Sequence, residues 1–279
     1  MQRGIGELKM LEITSSQNTT FKQLIKLLEK RERDKTKLFL IEGYREILRA
    51  YEGNIQGKTL FICPEFFLGS NERSLIDSYI AKGVNIIKIA KGLFEKLSFR
   101  DRPDGMILLA EQFDTSFEKL KQLIHKKKNP FILVAESIEK PGNLGSILRS
   151  CDAANVDCVI VCDRCTDIYN PNVVRSSVGT LFTVPIFELS SSQAIDYLKS
   201  LDISIAAGTP HTEVIYTDQD FTKPVAIAVG TEQLGLSKLW MDQSNIKVKI
   251  PMLGKADSLN VANATTLLLY EVVRQRSLR

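Results

Sequence analysis

The sequence predicts a two-domain α/β protein: a small mixed α/β unit followed by a larger, mostly parallel sheet covered by helices on both faces. Three observations predict it. The 279 residues suffice for two domains at about 100–200 residues each. From Phe131 onward the apolar residues fall in short unbroken runs separated by helical patterns, and runs without alternation mark strands buried on both faces. Between the halves, residues 113–129 are polar and end in Lys126-Lys127-Lys128 before Pro130, which marks a linker between domains 1–112 and 130–279.

In the first domain the apolar spacing predicts helices over 20–30, 44–51, 74–81 and 93–97, alternating with strands over 38–41, 60–63, 85–89 and 105–110. A weaker helical pattern (Phe117, Leu120, Leu123, Ile124) opens the linker. In the second domain strands are predicted over 131–135, 158–162, 182–186, 203–207, 224–229 and 246–250, with helices over 144–154, 192–201 and 261–274. Ligands of such sheets sit beyond the carboxyl ends of the strands, which directs attention to the loops after Ala135, Ala207, Val229 and Ile250.

With 44% hydrophobic and 25% charged residues the chain is an ordinary globular protein, neither disordered nor collagen-like. No apolar run approaches the roughly 20 residues of a membrane-spanning helix. The start, Met1-Gln2-Arg3-Gly4-Ile5-Gly6-Glu7, lacks the apolar core of a secretory signal, so a cytoplasmic location is expected. The five cysteines form no regular framework and read as reduced, buried thiols. Cys162 and Cys165 have metal-ligand or redox spacing, but no second pair accompanies them and His125 and His211 lie outside finger-like spacing, so no metal is expected. Lys22, Lys26, Lys30, Arg31, Arg33, Lys35 and Lys37 crowd the first helix and its end, a pattern suited to phosphate contacts; from charge alone, a solvated helix face explains it as well or better.

The common nucleotide fingerprints are absent where they should be. The only G-x-G, Gly4-Ile5-Gly6, follows no strand, and Gly53-Asn54-Ile55-Gln56-Gly57-Lys58-Thr59 is one residue short of a P-loop and leads into a strand, as an ordinary turn would. Three other loops carry more. After the strand 131–135, Pro141-Gly142-Asn143 starts a helix whose free amides face the strand ends. Arg149 shares a face with Ser146 and Asp152; it points into the crevice or pairs with Asp152. After 224–229, Gly230-Thr231-Glu232-Gln233-Leu234-Gly235 brackets an acid between glycines that permit close backbone approach or left-handed conformations, though a plain turn also fits. After 246–250, Pro251-Met252 lead to Ser258-Leu259-Asn260-Val261 at the start of a long helix, where Ser258 could simply cap.

In this order, Asn143-Leu144-Gly145-Ser146-Ile147-Leu148-Arg149, Gly230-Thr231-Glu232-Gln233-Leu234-Gly235 and Ile250-Pro251-Met252 with Ser258-Leu259-Asn260-Val261 resemble the three motifs of the SpoU (TrmH) family of RNA ribose 2′-O-methyltransferases, within the SPOUT superfamily. The resemblance covers about the last 150 residues. Residues 1–112 look like the small ribosomal-protein-like RNA-binding domain that often precedes this catalytic domain. The whole chain is most similar to ribosomal-RNA methyltransferases that include thiopeptide and orthosomycin resistance enzymes. One departure is visible: Ala262-Asn263 follows Asn260-Val261, where the family continues with a small residue and then an apolar one.

The resemblance implies a SPOUT-type parallel sheet with a deep trefoil knot, S-adenosyl-L-methionine as cofactor, RNA (ribosomal rather than transfer) as substrate, and a homodimer with no membrane partner. It implies cofactor contacts from Gly208, Thr209, Gly230, Glu232, Gly235, Ile250, Met252 and Leu259. It also implies a catalytic set of Asn143, Arg149, Glu232, Ser258 and Asn260, with Arg149 reaching a cofactor held by the other subunit. A guanidinium keeps its proton at physiological pH, so charge stabilisation is the expected main role of Arg149. A transfer-RNA methyltransferase and a non-catalytic ribosome-assembly factor of the same fold are the alternative expectations.

Overall fold

The structure is a computed structural model that describes residues 11–163 and 166–278; the Gly4-Ile5-Gly6 and Cys165 readings fall outside them. In chain order the strands are β1 (Leu11–Ile13), β2 (Leu38–Glu42), β3 (Gly57–Ile62), β4 (Asn85–Ile89), β5 (Met106–Glu111), β6 (Phe131–Glu136), β7 (Cys158–Cys162), β8 (Ile186–Leu189), β9 (Ser204–Gly208), β10 (Val225–Val229) and β11 (Ile246–Val248). The helices are α1 (Thr19–Lys26), α2 (Lys30–Thr36), α3 (Tyr44–Glu52), α4 (Glu72–Ala81), α5 (Lys91–Leu97), α6 (Phe117–Ile124), α7 (Pro141–Ala153), α8 (Pro171–Ser176), α9 (Ser191–Ser200), α10 (Lys238–Gln243) and α11 (Val261–Ser277).

The chain divides into two compact units. One runs up to Phe113 and takes in Tyr169–Phe182; the other comprises Asp114–Ile168 and the chain from Thr183 onward. In the first, a sheet of order β1-β4-β3-β5-β2 has β5 antiparallel to both neighbours, and Phe21, Leu24, Leu40, Phe61 and Phe94 fill its main core. The borrowed segment belongs there because of its aromatic rings: Tyr169 packs on Phe39 at 4.9 Å and on Phe113 at 5.2 Å, and its hydroxyl donates to the Phe113 carbonyl at 2.9 Å.

Four local expectations are corrected here. The helix expected over 20–30 is two helices, α1 and α2, and Arg33 is buried at their corner, its Nη1 donating to the carbonyls of Leu27 and Leu28 at 2.8 Å each. Arg33 therefore leaves the exposed basic cluster. The strand expected over 182–186 is displaced: Thr180–Phe182 form a 3-10 turn, Pro185 has no N–H to donate to a sheet, and β8 starts at Ile186. The apolar run straddles the units, since the Phe182 ring packs on Phe39 at 6.1 Å. The short elements β1, α8 and α10 carry too few residues for a periodic signal. The cap of α11 is Asn260, whose side chain accepts from Ala262 N–H at 3.0 Å, and not Ser258.

The second unit is a six-stranded sheet of order β11-β9-β10-β6-β7-β8 in which every pairing is parallel. β6, β7 and β10 are buried along their whole length, as runs without alternation require. On one face Ile132, Val134, Ile160 and Ala228 pack with Leu120 of α6, Leu198 of α9 and Trp240 of α10. α7 and α11 lie against each other, joined by the Ser150 and Thr266 hydroxyls at 2.7 Å. Burial raises the thiol pKa of Cys63 to about 11 and pushes Cys151 and Cys158 up as well, so these are packing thiols. No helix among the described residues is long and apolar enough to cross a membrane.

Arg276 clamps the end of α11 to the amino ends of the strands. Its guanidinium donates to the carbonyls of Phe221 (3.2 Å), Asn129 (3.1 Å), Pro130 (3.3 Å) and Lys223 (2.8 Å), and stacks over Phe131. Charged hydrogen bonds are worth about 1.5–3 kcal/mol, and partners left buried add to the loss. Arg276→Ala is expected to destabilise the protein by about 2–4 kcal/mol in urea unfolding; a change below about 0.5 kcal/mol would show that the clamp contributes nothing.

Candidate active site

Three loops leaving the carboxyl ends of β9, β10 and β11 enclose a cavity of about 350 Å³, within the range of small-molecule sites. Val229, Leu236, Met241, Val248, Ala264 and Leu268 supply its apolar lining; Thr209 is buried in it, while His211, Asp257 and Ser258 are exposed at its rim. The loop after β9 is held by Thr209 N–H, which donates to Val248 O at 2.9 Å. The loop after β10 folds back on itself: Thr231 and Gly235 exchange both backbone hydrogen bonds at 3.0 Å. That fold needs its glycines. A Cβ on Gly230 would lie 2.2 Å from the Gly235 oxygen and 2.5 Å from Leu236 N, and Gly235 has φ +67°.

Beside the cavity the three motifs converge. Asn260, held as the α11 cap, donates from Nδ2 to Asn143 Oδ1 at 3.2 Å and to the Glu232 carboxylate, which also receives Lys140 Nζ. The hydrogen bond from Lys140 does most to hold the Glu232 carboxyl below its ordinary pKa; the Asn143 and Asn260 side chains and the lysine charge act in the same direction. A carboxylate whose ionised form is favoured therefore contacts two amides, one from α7 and one from α11, at the rim.

All eight residues expected to hold a cofactor, Gly208, Thr209, Gly230, Glu232, Gly235, Ile250, Met252 and Leu259, line the cavity. Of the expected catalytic set, Asn143, Glu232 and Asn260 are joined by hydrogen bonds, and Ser258 lies at the rim. Arg149 stands apart. It is exposed, lines neither this cavity nor its smaller neighbour, and has no hydrogen bond or ion pair among the described residues. Its expected alternative partner, Asp152, instead accepts from Thr183 Oγ1 at 2.8 Å. Asn263, the departure from the family pattern, is exposed and lines neither cavity.

Sequence reading missed three residues. Lys140 precedes the helix-starting Pro141 with no signal of its own. His211 lies two residues past Thr209, and only its distance from a β-strand end could have flagged it. Glu136 ends a buried strand, and a carboxyl there is the one detectable sign. Its Oε2 accepts Ser237 N–H at 2.7 Å, and Ser191, whose hydroxyl lies 3.4 Å from Oε1, accepts Trp240 Nε1 at 2.7 Å. Glu136 thus anchors the end of the loop that walls the cavity.

Comparison with known proteins agrees with this geometry. The family model described as SpoU rRNA Methylase family matches residues 130–270, and that of an MRM3-like substrate binding domain matches residues 18–108. A 23S rRNA (uridine(2479)-2'-O)-methyltransferase of Streptomyces viridochromogenes is 33% identical over 273 residues, 94% of this chain and 92% of that protein. A crystal structure of an RNA 2'-O ribose methyltransferase superposes with TM-score 0.81 at 38% identity, over 96% of this chain and 100% of the other. An AdoMet-bound rRNA methyltransferase from Sinorhizobium meliloti superposes with TM-score 0.85 at 27% identity, over 95% and 98%.

Proposed function

The chain belongs to the SpoU family of RNA methylases, and from that premise we propose that it transfers the methyl group of S-adenosyl-L-methionine to a ribose 2′-hydroxyl of ribosomal RNA. One observation carries this reading: the cavity walled by Gly230 and Gly235 meets, at its rim, the amide cluster of Asn143 and Asn260 held by Glu232. The cavity suits the cofactor. It is large enough, its apolar lining suits an adenine, and two of its glycines stand where a Cβ would strike neighbouring atoms, at Gly230 and at Gly208, where Leu268 Cδ1 is 2.8 Å away.

When bound, S-adenosyl-L-methionine supplies an electrophilic methyl group on a sulfonium. The protein must orient the acceptor hydroxyl and stabilise the charge that grows on its oxygen. Asn143 and Asn260, fixed by ionised Glu232, present amide groups to a ribose; Ser258 adds a hydroxyl. Arg149 comes from the other subunit of a homodimer and stabilises the 2′-oxygen as its proton passes to solvent water. This assignment is supported by the position of Arg149, exposed and outside its own cavity. The sheet order and the loops around α11 are compatible with the trefoil knot, and residues 1–112 bind the RNA.

The test is transfer of radiolabelled methyl from S-adenosyl-L-methionine to ribosomal and transfer RNA. Label in alkali-resistant dinucleotides of ribosomal RNA is expected, because 2′-O-methylation blocks strand cleavage there. Label confined to bases or to transfer RNA would overturn the proposal. Cofactor binding is read by calorimetric titration. Glu136→Ala is expected to weaken binding about 10-fold, the effect of losing about 1–2 kcal/mol, whereas Glu136→Gln keeps an acceptor for Ser237. Equal affinities for the two variants would remove Glu136 from this role.

A further inference from the structure

A second cavity of about 100 Å³ shares with the first the wall Thr231–Leu234 and Val261, so a group bound in it lies one loop's thickness from the cofactor. Its charged lining is two carboxylates, Glu139 and Glu232, and one cation, Lys140. RNA approaches as a polyanion, and a pocket with two carboxylates alone would repel it. Lys140 offsets one of the two and is the one lining residue with a positive charge to offer a phosphate. An ammonium has three donors; the Glu232 carboxylate is its one side-chain partner among the described residues, and 72% of the side chain is open to solvent. It also stands three residues before Asn143, whose amide faces the same cavity.

We propose that Lys140 is a substrate-binding residue that holds a phosphate oxygen of the acceptor nucleotide in this second cavity while pinning Glu232. The inference rests on the methyl-transfer reading above. Each phosphate neutralised by a lysine releases bound counterions, so the contact has its own signature in salt dependence. A lysine serving only the ion pair with Glu232 has none.

The experiment uses the full chain with ribosomal RNA, comparing wild type, Lys140→Met, Lys140→Arg and Glu232→Gln. For Lys140→Met the expected result is a KM for RNA raised about 10-fold at physiological salt, cofactor affinity within about 2-fold, and a plot of log kcat/KM against log salt shallower by about 0.7 to 1. Lys140→Arg and Glu232→Gln keep the wild-type slope. An unchanged slope and KM in Lys140→Met would overturn the proposal, as would a cofactor affinity that falls by the same factor as KM rises. The same shallower slope in Glu232→Gln would trace the effect to the ion pair and also overturn it. Absence of methyl transfer by the wild type would be the separate failure of the functional reading itself.

Discussion

Arg149→Ala is expected to lower methyl transfer to ribosomal RNA by about 100- to 1000-fold, the range seen when one preorganised donor to a developing oxyanion is removed. Stability should change by less than about 0.5 kcal/mol, because the side chain is exposed and without a partner among the described residues. Cofactor affinity, read by calorimetric titration, should be unchanged. A mixing experiment then decides which subunit's site Arg149 serves. If Arg149 crosses to the partner, equal amounts of Arg149→Ala and Gly230→Ala chains, both inactive alone, form dimers of which about half are mixed, each with one complete site. About a quarter of the wild-type activity should return. If Arg149 acts within its own subunit, no mixed dimer has a complete site and nothing returns.

Gly230→Ala is expected to weaken cofactor binding more than about 100-fold, some 2.7 kcal/mol or more. The added Cβ would lie 2.2 Å from the Gly235 oxygen, 2.3 Å from its carbonyl carbon and 2.5 Å from Leu236 N. These are backbone atoms of a loop closed by two hydrogen bonds across Thr231 and Gly235, so relief requires opening the wall of the cavity. Gly235→Ala is the control. Its φ of +67° costs an L-residue about 1–2 kcal/mol, yet no atom lies within 4 Å of the new Cβ, so its effect on binding should be smaller. Calorimetric titration of both variants checks this; wild-type affinity in Gly230→Ala would dismiss the steric argument.

Much of this protein can be read from its sequence, for identifiable reasons. The parallel sheet is legible because β6, β7 and β10 are buried on both faces and their residues accordingly show no polar alternation. The loop after β10 that walls the cavity is legible because Gly230 and Gly235 satisfy backbone constraints that only glycine meets cheaply. The short elements β1, α8 and α10 give no signal of their own, and the run 182–186 misleads because its two ends pack in different units.

The sequence by itself determined the fold class, which follows from local pattern, and the order of the three motifs; eight residues around the cavity followed from the family resemblance that those motifs carry. Only the tertiary structure decided that Arg33 is buried, that Asn260 rather than Ser258 caps α11, that Tyr169–Phe182 completes the first unit, and that Lys140 meets Glu232. Apart from the Asn260 cap, whose partner Ala262 is two residues on, these depend on partners 5 to 130 residues away, such as Tyr169 on Phe39 or Lys140 on Glu232, 92 positions apart. Such pairings are selected by packing and desolvation in the folded chain, and neither leaves a mark on the neighbouring sequence.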